Sequence, residues 1–274
     1  MHNVSKCFLS IIFVLTALLL VNSCGKQADP KEILMRQAND KLSMGNYHDA
    51  IAIYDNIISM DVKYAKAYNG RGVAWMLGEE YDNAIDDFTK AIGSYSEVSE
   101  KARTYWIRGL AKALNNDTTG AIDDYSTSIE LKPDYAEAYY SRGKAKCGKG
   151  DDGAIADFTK AIELKPDCAE FYFNRGRAEY KKENYDGLLA DCAKAIKLKP
   201  NYAKAYNGCG LAKYYKGNYE DAIADYTKAI ELKPDFEKAF NNRAYAYEKL
   251  GKTKEAAADR KKAEELTKKS GGKK

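Results

Sequence analysis

Tyr139-Tyr140-Ser141-Arg142-Gly143 and Tyr172-Phe173-Asn174-Arg175-Gly176 are one phrase written twice, and Tyr105-Trp106-Ile107-Arg108-Gly109 is a third copy. A variant, Tyr206-Asn207-Gly208-Cys209-Gly210, continues the series, so the leading tyrosines fall 34, 33 and 34 residues apart. A second phrase trails each copy: Ala121 to Tyr125, Ala154 to Phe158 and Ala222 to Tyr226 alternate small, acidic and aromatic residues in the same order. Units of this length cannot bury a core singly and must stack on their neighbours. The period therefore predicts an all-α array and limits function to what stacked helix pairs can do.

With the helix-opening residue as position 1, the units run 31–64, 65–98, 102–135, 136–168, 169–202, 203–236 and 237 to the end. Large residues at position 4, small ones at 8, an aromatic near 17, alanine at 20, an aromatic at 24, alanine at 27 and proline at 32 recur through them. Tyr206, Gly210, Tyr219, Ala222, Tyr226, Ala229 and Pro234 fill all seven places in unit six. This pattern resembles the tetratricopeptide repeat (TPR), and the resemblance covers nearly all of the chain after its first thirty residues. It implies a right-handed superhelical solenoid of about seven helix-turn-helix units, units one and two over 31–98 and units three to seven over 102–266. Residues 99–101 are an insertion, with a bend or change of pitch expected there, and unit four is one residue short.

Each recurring residue type has a physical reason. Small residues at 8 (Gly72, Gly109, Gly143, Gly176, Gly210) facing alanines at 20 let two helix axes approach to about 8–9 Å. In unit five Leu188 and Cys192 exchange the sizes and roughly keep the volume. Pro133, Pro166, Pro200 and Pro234 end the second helices. Asp134 with Glu137, and Asp167 with Glu170, read as capping boxes for the helices that follow. Arg71, Arg108, Arg142, Arg175 and Arg243 take position 7, and Asp87, Asp124, Asp157, Asp191 and Asp259 take position 23 of the same units. Their co-occurrence predicts a structural Arg–Asp ladder, which Cys209 opposite Asp225 interrupts in unit six. Of the cysteines, Cys192 and Cys209 are the one pair placed for a disulfide, the alternative being buried free thiols.

The start of the chain differs in kind. A polar Met1–Lys6 precedes an apolar run of about 14 residues, the length of a signal peptide and short of a membrane span. It ends in Val21-Asn22-Ser23-Cys24-Gly25, which resembles the lipobox of bacterial lipoproteins. That resemblance implies a signal peptide over 1–23, lipidation of Cys24, a tether over 24–30 and a place in the bacterial cell envelope. Gly25 in place of aspartate points to the outer membrane, facing the periplasm. A tether of about six residues at ~3.5 Å each keeps the array within roughly 20 Å of the bilayer. The formal net charge is +4. From Lys249 onward ten basic residues oppose four acidic ones, so the array before it is slightly acidic and the tail over 267–274 basic. The tail is either a solvated end of a closing helix or a contact for anionic surfaces.

Catalysis finds no support in this pattern. His48 is the one histidine after the signal segment, no Cys/His group has metal-ligand spacing, and no phosphate-cradling loop or nucleophile elbow occurs. No cofactor, metal or small-molecule substrate is expected, and a slightly acidic exported array is a poor nucleic-acid binder. The TPR resemblance implies instead a groove lined by the first helices, chiefly at positions 2, 5, 9, 12 and 13. Asn69, Trp106, Tyr140, Phe173 and Asn207 stand at position 5, and Tyr180, Tyr214 and Tyr215 at 12 and 13. Aromatic area with polar tips, flanked by amides that can hold a peptide backbone, suits peptide binding. Lysine is absent from position 5, which argues against a clamp for a terminal carboxylate. The expected function is a lipid-anchored scaffold that binds a protein of the envelope, touching the membrane through its anchor alone. A scaffold for envelope polysaccharide, with sugars stacked on the aromatics, is the alternative.

Overall fold

The computed structural model describes residues 29–150 and 153–271. They form two compact units, one ending at Leu131 and the other starting at Lys132. The first holds α1 (Pro30–Ser43), α2 (Tyr47–Met60), α3 (Ala65–Leu77), α4 (Tyr81–Ser94), α5 (Val98–Leu114) and α6 (Thr118–Leu131). The second holds α7 (Ala136–Lys149), α8 (Ala154–Leu164), α9 (Ala169–Lys181), α10 (Tyr185–Leu198), α11 (Ala203–Tyr215), α12 (Tyr219–Leu232), α13 (Glu237–Lys249) and α14 (Thr253–Gly271). Among the described residues there is no strand, and each repeat read from the sequence is one helical hairpin. The fold is an all-α helical-repeat solenoid. No helix among the described residues is long and apolar enough to cross a membrane.

Packing within a hairpin follows from the small residues. A Cβ added at Gly109 would lie 2.7 Å from the Tyr125 ring and 3.2 Å from the Ala121 carbonyl oxygen. Gly72 meets Phe88 and Gly210 meets Tyr226 in the same way. The position-24 ring thus covers the glycine rather than flanking it, and Phe88, Tyr125, Phe158 and Tyr226 are almost wholly buried. At Gly176 the neighbours are Leu188 and Asp191, because Cys192 is too short to reach across.

Every hairpin turn places its fifteenth residue in the left-handed region: Gly45, Glu79, Asn116, Gly150, Glu183, Gly217 and Gly251, with φ between 59° and 84°. These turns close the first helix by the backbone bonding of a Schellman motif, as where Asn184 N donates to the Glu179 carbonyl at 3.0 Å. The turns between repeats work differently. Lys132-Pro133-Asp134-Tyr135 is a β-turn in which Tyr135 N donates to the Lys132 carbonyl at 3.2 Å. Lys132, Lys199 and Lys233 each lie over the aromatic three residues on, at 4.9–5.4 Å from the ring centroid.

That geometry corrects the expected capping boxes. Tyr135 and Cys168 are the N-cap residues of α7 and α9, without a side-chain cap, so Asp134 and Asp167 stand one residue too early. Proline fixes the preceding turn and holds each aspartate inside it. Glu137 and Glu170 turn instead to Lys165 at 3.4 Å and Lys199 at 3.0 Å. The insertion at 99–101 lies inside α5, where an extra turn makes this helix 17 residues long. At the other end α14 continues to Gly271, so residues 267–271 of the expected tail are helical. Residues 1–28, including the signal segment and Cys24, lie outside the described residues, as do 151–152 and 272–274.

Candidate functional site

The structure sets each position-7 arginine against its position-23 aspartate in a two-pronged pair. In all five, Nε donates to one carboxylate oxygen and Nη2 to the other at 2.7–2.9 Å. The aspartates are buried. The third nitrogen reaches back one repeat: Nη1 donates to Thr89 from Arg108 at 2.9 Å, to Thr159 from Arg175 at 3.2 Å and to Thr227 from Arg243 at 2.9 Å. Arg71 reaches Asp55 in the same way. One guanidinium therefore joins three helices. The residue three before it caps the arrangement, Tyr68, Tyr105, Tyr139, Tyr172 or Phe240 lying 5.1–5.9 Å from the guanidinium carbon. The ladder is structural, and it accounts for Tyr-x-x-Arg.

Three lysines belong to it that the sequence reading passed over. Lys112 lies 3.1 Å from Asp124 and Lys146 3.0 Å from Asp157, each a turn beyond the arginine. In repeat six, where Cys209 replaces arginine, Lys213 lies 2.7 Å from Asp225. Burial nevertheless raises the Asp225 carboxyl above its usual value, outweighing the pull of Lys213. Spacing carried the signal, since i+4 from position 7 faces the same carboxylate. The space Cys209 leaves is shared with Cys192; both are free and buried. The hydrogen bond between the thiols, followed by burial, pushes Cys192 far above the usual thiol range.

The expected groove residues divide. Trp106 is 3 % exposed, and a buried indole offers no ligand-facing surface. Tyr140 is half-buried among Phe171 and Phe158, with centroids 4.6 and 5.9 Å away, and its hydroxyl accepts from Asn174 at 2.9 Å. The Trp106 ring serves packing, contrary to the expectation that it faces a ligand, whereas Tyr140 is packed on one side and keeps some exposed surface. Asn69, in repeat two, is half-buried with Oδ1 unpaired. Phe173, Tyr180, Asn207, Tyr214 and Tyr215 do converge, on a groove of about 960 Å³ formed by α9, α11 and α13.

Hydroxyls and amides tie the groove's walls together. Tyr180 donates to the Tyr215 hydroxyl at 3.2 Å, joining α9 to α11, and Asn242 Nδ2 donates to Asn207 Oδ1 at 3.0 Å, joining α11 to α13. Tyr215 stacks on Tyr185 with rings 4.8 Å apart and 4° from parallel. Burial, then the bond to Tyr215, pushes Tyr180 up to about 12. Leu211, Asn241 and Tyr245 also line it, together with four cations, Arg177, Lys181, Lys204 and Lys238. The cations occupy groove positions 2, 9 and 13 of repeats five to seven, which the sequence spells out but whose side chains are not distinguishable there from solvated surface charges.

Tetratricopeptide-repeat sequences match this chain at residues 35–99, 108–150, 152–203 and 210–251, with a further match at 237–270. The chain belongs to the tetratricopeptide-repeat family. No catalytic family is among these matches. Tetratricopeptide repeat protein 28 of Homo sapiens is 35% identical over 57 residues, 21% of this chain, and the match spans only 2% of that protein's length. Among solved structures, the C-terminal part of a TPR repeat-containing protein from Cytophaga hutchinsonii shares the fold with a TM-score of 0.69 over 85% of this chain and 95% of that one, at 20% identity. MamA is 29% identical, with a TM-score of 0.55, over 65% of this chain and 99% of its own. YrrB, described as a TPR protein with an unusual peptide-binding site, is 26% identical, with a TM-score of 0.53, over 63% of this chain and 88% of its own.

Proposed function

We propose that this TPR protein is a non-enzymatic scaffold that holds a segment of a partner protein in the groove of repeats five to seven. A lipid on Cys24 would hold it in the bacterial cell envelope, at the periplasmic face of the outer membrane. The observation that carries the binding reading is the convergence of Phe173, Tyr180, Asn207, Tyr214 and Tyr215 on one groove. Ring edges and hydroxyls there combine apolar area with hydrogen-bonding tips, and Tyr245 beside them is 48 % exposed. The peptide-binding site for which YrrB is described supports the reading by likeness. The sequence of residues 8–25 supports the anchor.

A photo-crosslinking residue placed at Asn207 or Tyr245 tests the groove in cells. Both positions are expected to capture the same protein, while Lys228 on the outer face of α12 captures none. Equal capture from Lys228, or a captured glycan in place of protein, would sink the proposal. The anchor is tested separately by labelled fatty acid, whose incorporation should vanish in Cys24→Ser.

A further inference from the structure

We infer that the groove of repeats five to seven selects an extended acidic segment of its partner; this rests on the reading of that groove as a peptide site. Arg177, Lys181, Lys204 and Lys238 line it, and no carboxylate does. Two of the four cations are already engaged, Arg177 with Asn174 Oδ1 at 3.2 Å and Lys181 with the Cys147 carbonyl at 2.6 Å. Lys204 and Lys238 make no hydrogen bond or ion pair among the described residues.

The same position shows how the groove acquired this charge. In repeats four and five, position 2 is Glu137 and Glu170, each paired with the lysine of its own repeat's closing turn. In repeats six and seven the residue becomes lysine. Lys233, which closes repeat six, turns to Asp235 at 3.9 Å instead. From repeats four and five to repeats six and seven this position thus changes from glutamate to lysine; it is also basic at Lys66 and Arg103 in repeats two and three. Unpaired ammonium groups beside apolar walls attract an incoming anion more strongly than they would in open water.

Amide chemistry favours a peptide over another polyanion. The bond between Asn242 and Asn207 leaves the Asn207 amide N–H groups and the Asn242 Oδ1 available beside Asn241, a set that matches peptide C=O and N–H groups. Lys204 and Lys238 sit one repeat apart on α11 and α13, a separation of about 10 Å by helix packing. An extended polyproline II segment advances ~3.1 Å per residue with three residues per turn. Acidic side chains three residues apart therefore share a face, ~9 Å apart, and match the two lysines.

Selection of short peptides from a random library, acetylated and amidated to remove terminal charges, tests this on the full-length chain. Binders are expected to carry two Asp or Glu three residues apart. Replacing those with Asn and Gln, or substituting Lys204→Glu with Lys238→Glu, should weaken binding about tenfold or more, as should raising salt. The double reversal should also turn the library's preference to basic peptides, while Lys228→Glu leaves it unchanged. Both lysines are exposed, so thermal unfolding should not move. Binders without acidic bias that are still lost in Phe173→Ala/Tyr214→Ala would overturn the charge inference and leave the peptide reading standing. No binders, or binders indifferent to Phe173→Ala/Tyr214→Ala, would overturn both. Tighter retention of alginate than of any acidic peptide would overturn the choice of a peptide.

Discussion

At the residue scale, the recurring Tyr-x-x-Arg-Gly is three solutions to one problem, the close crossing of two helices. Glycine makes room for the position-24 ring, arginine neutralises a buried aspartate, and tyrosine shields the guanidinium from water. The order of importance is testable at Arg175, whose side chain is 24% exposed while that of Asp191 is 7% exposed. Arg175→Met strands a buried carboxylate and should cost about 3 kcal/mol in urea unfolding, since breaking a buried pair is worse than never having made it. Adding Asp191→Asn should recover more than half of that loss. Strictly additive losses would show that the pair's charges do not interact. Arg–Asp co-occurrence was readable without coordinates. Lys213 was legible only in part: its i+4 spacing from Cys209 aims it at Asp225, but spacing alone does not show that the pair closes.

Helix ends decide the behaviour of the elements. Position 15 takes a left-handed backbone in every repeat, a conformation that suits glycine and strains a residue with a Cβ. Gly217 occupies it without strain, whereas Glu183 holds φ at 59°. Glu183→Gly is therefore expected to stabilise repeat five by about 1 kcal/mol despite adding backbone entropy to the unfolded chain. Lys182→Gly, one residue earlier with ordinary φ, should destabilise instead. Thermal midpoints of the two variants moving the same way would refute the assignment. The capping boxes show the limit of reading ends from sequence. Asp-x-x-Glu has the right spacing, but a preceding Lys-Pro turn shifts the first helical residue past the aspartate.

For the molecule as a whole, stability is shared between neighbours, since each hairpin touches little beyond the next. In α14, the last described helix, Ala256, Asp259 and Ala263 are buried, and most of the other side chains are exposed. Ending the chain before Thr253 removes the helix packed on α13 and leaves Arg243 without Asp259. Hydrogen exchange should then reach α13 at near-unprotected rates while α9 and α10 stay protected, and the thermal midpoint should fall. Undiminished protection of α13 would mean that it is stable without its cap. Because α13 carries Lys238, Asn241 and Tyr245, the same truncation should weaken the groove's grip on an acidic peptide.

Sequence alone determined the period, the helix faces and the ladder, because these depend on residues that meet within one repeat at fixed spacing. Tertiary structure decided which groove positions are open. Trp106, Tyr140 and Phe173 hold the same repeat position, yet the first is buried, the second is packed among rings, and the third lines the groove. Exposure at that position depends on the side chains that surround it in the folded array, which the spacing within one unit does not encode. The cations show the converse: Lys204 and Lys238 were visible as letters, but their lack of partners became visible only with the positions of the surrounding carboxylates.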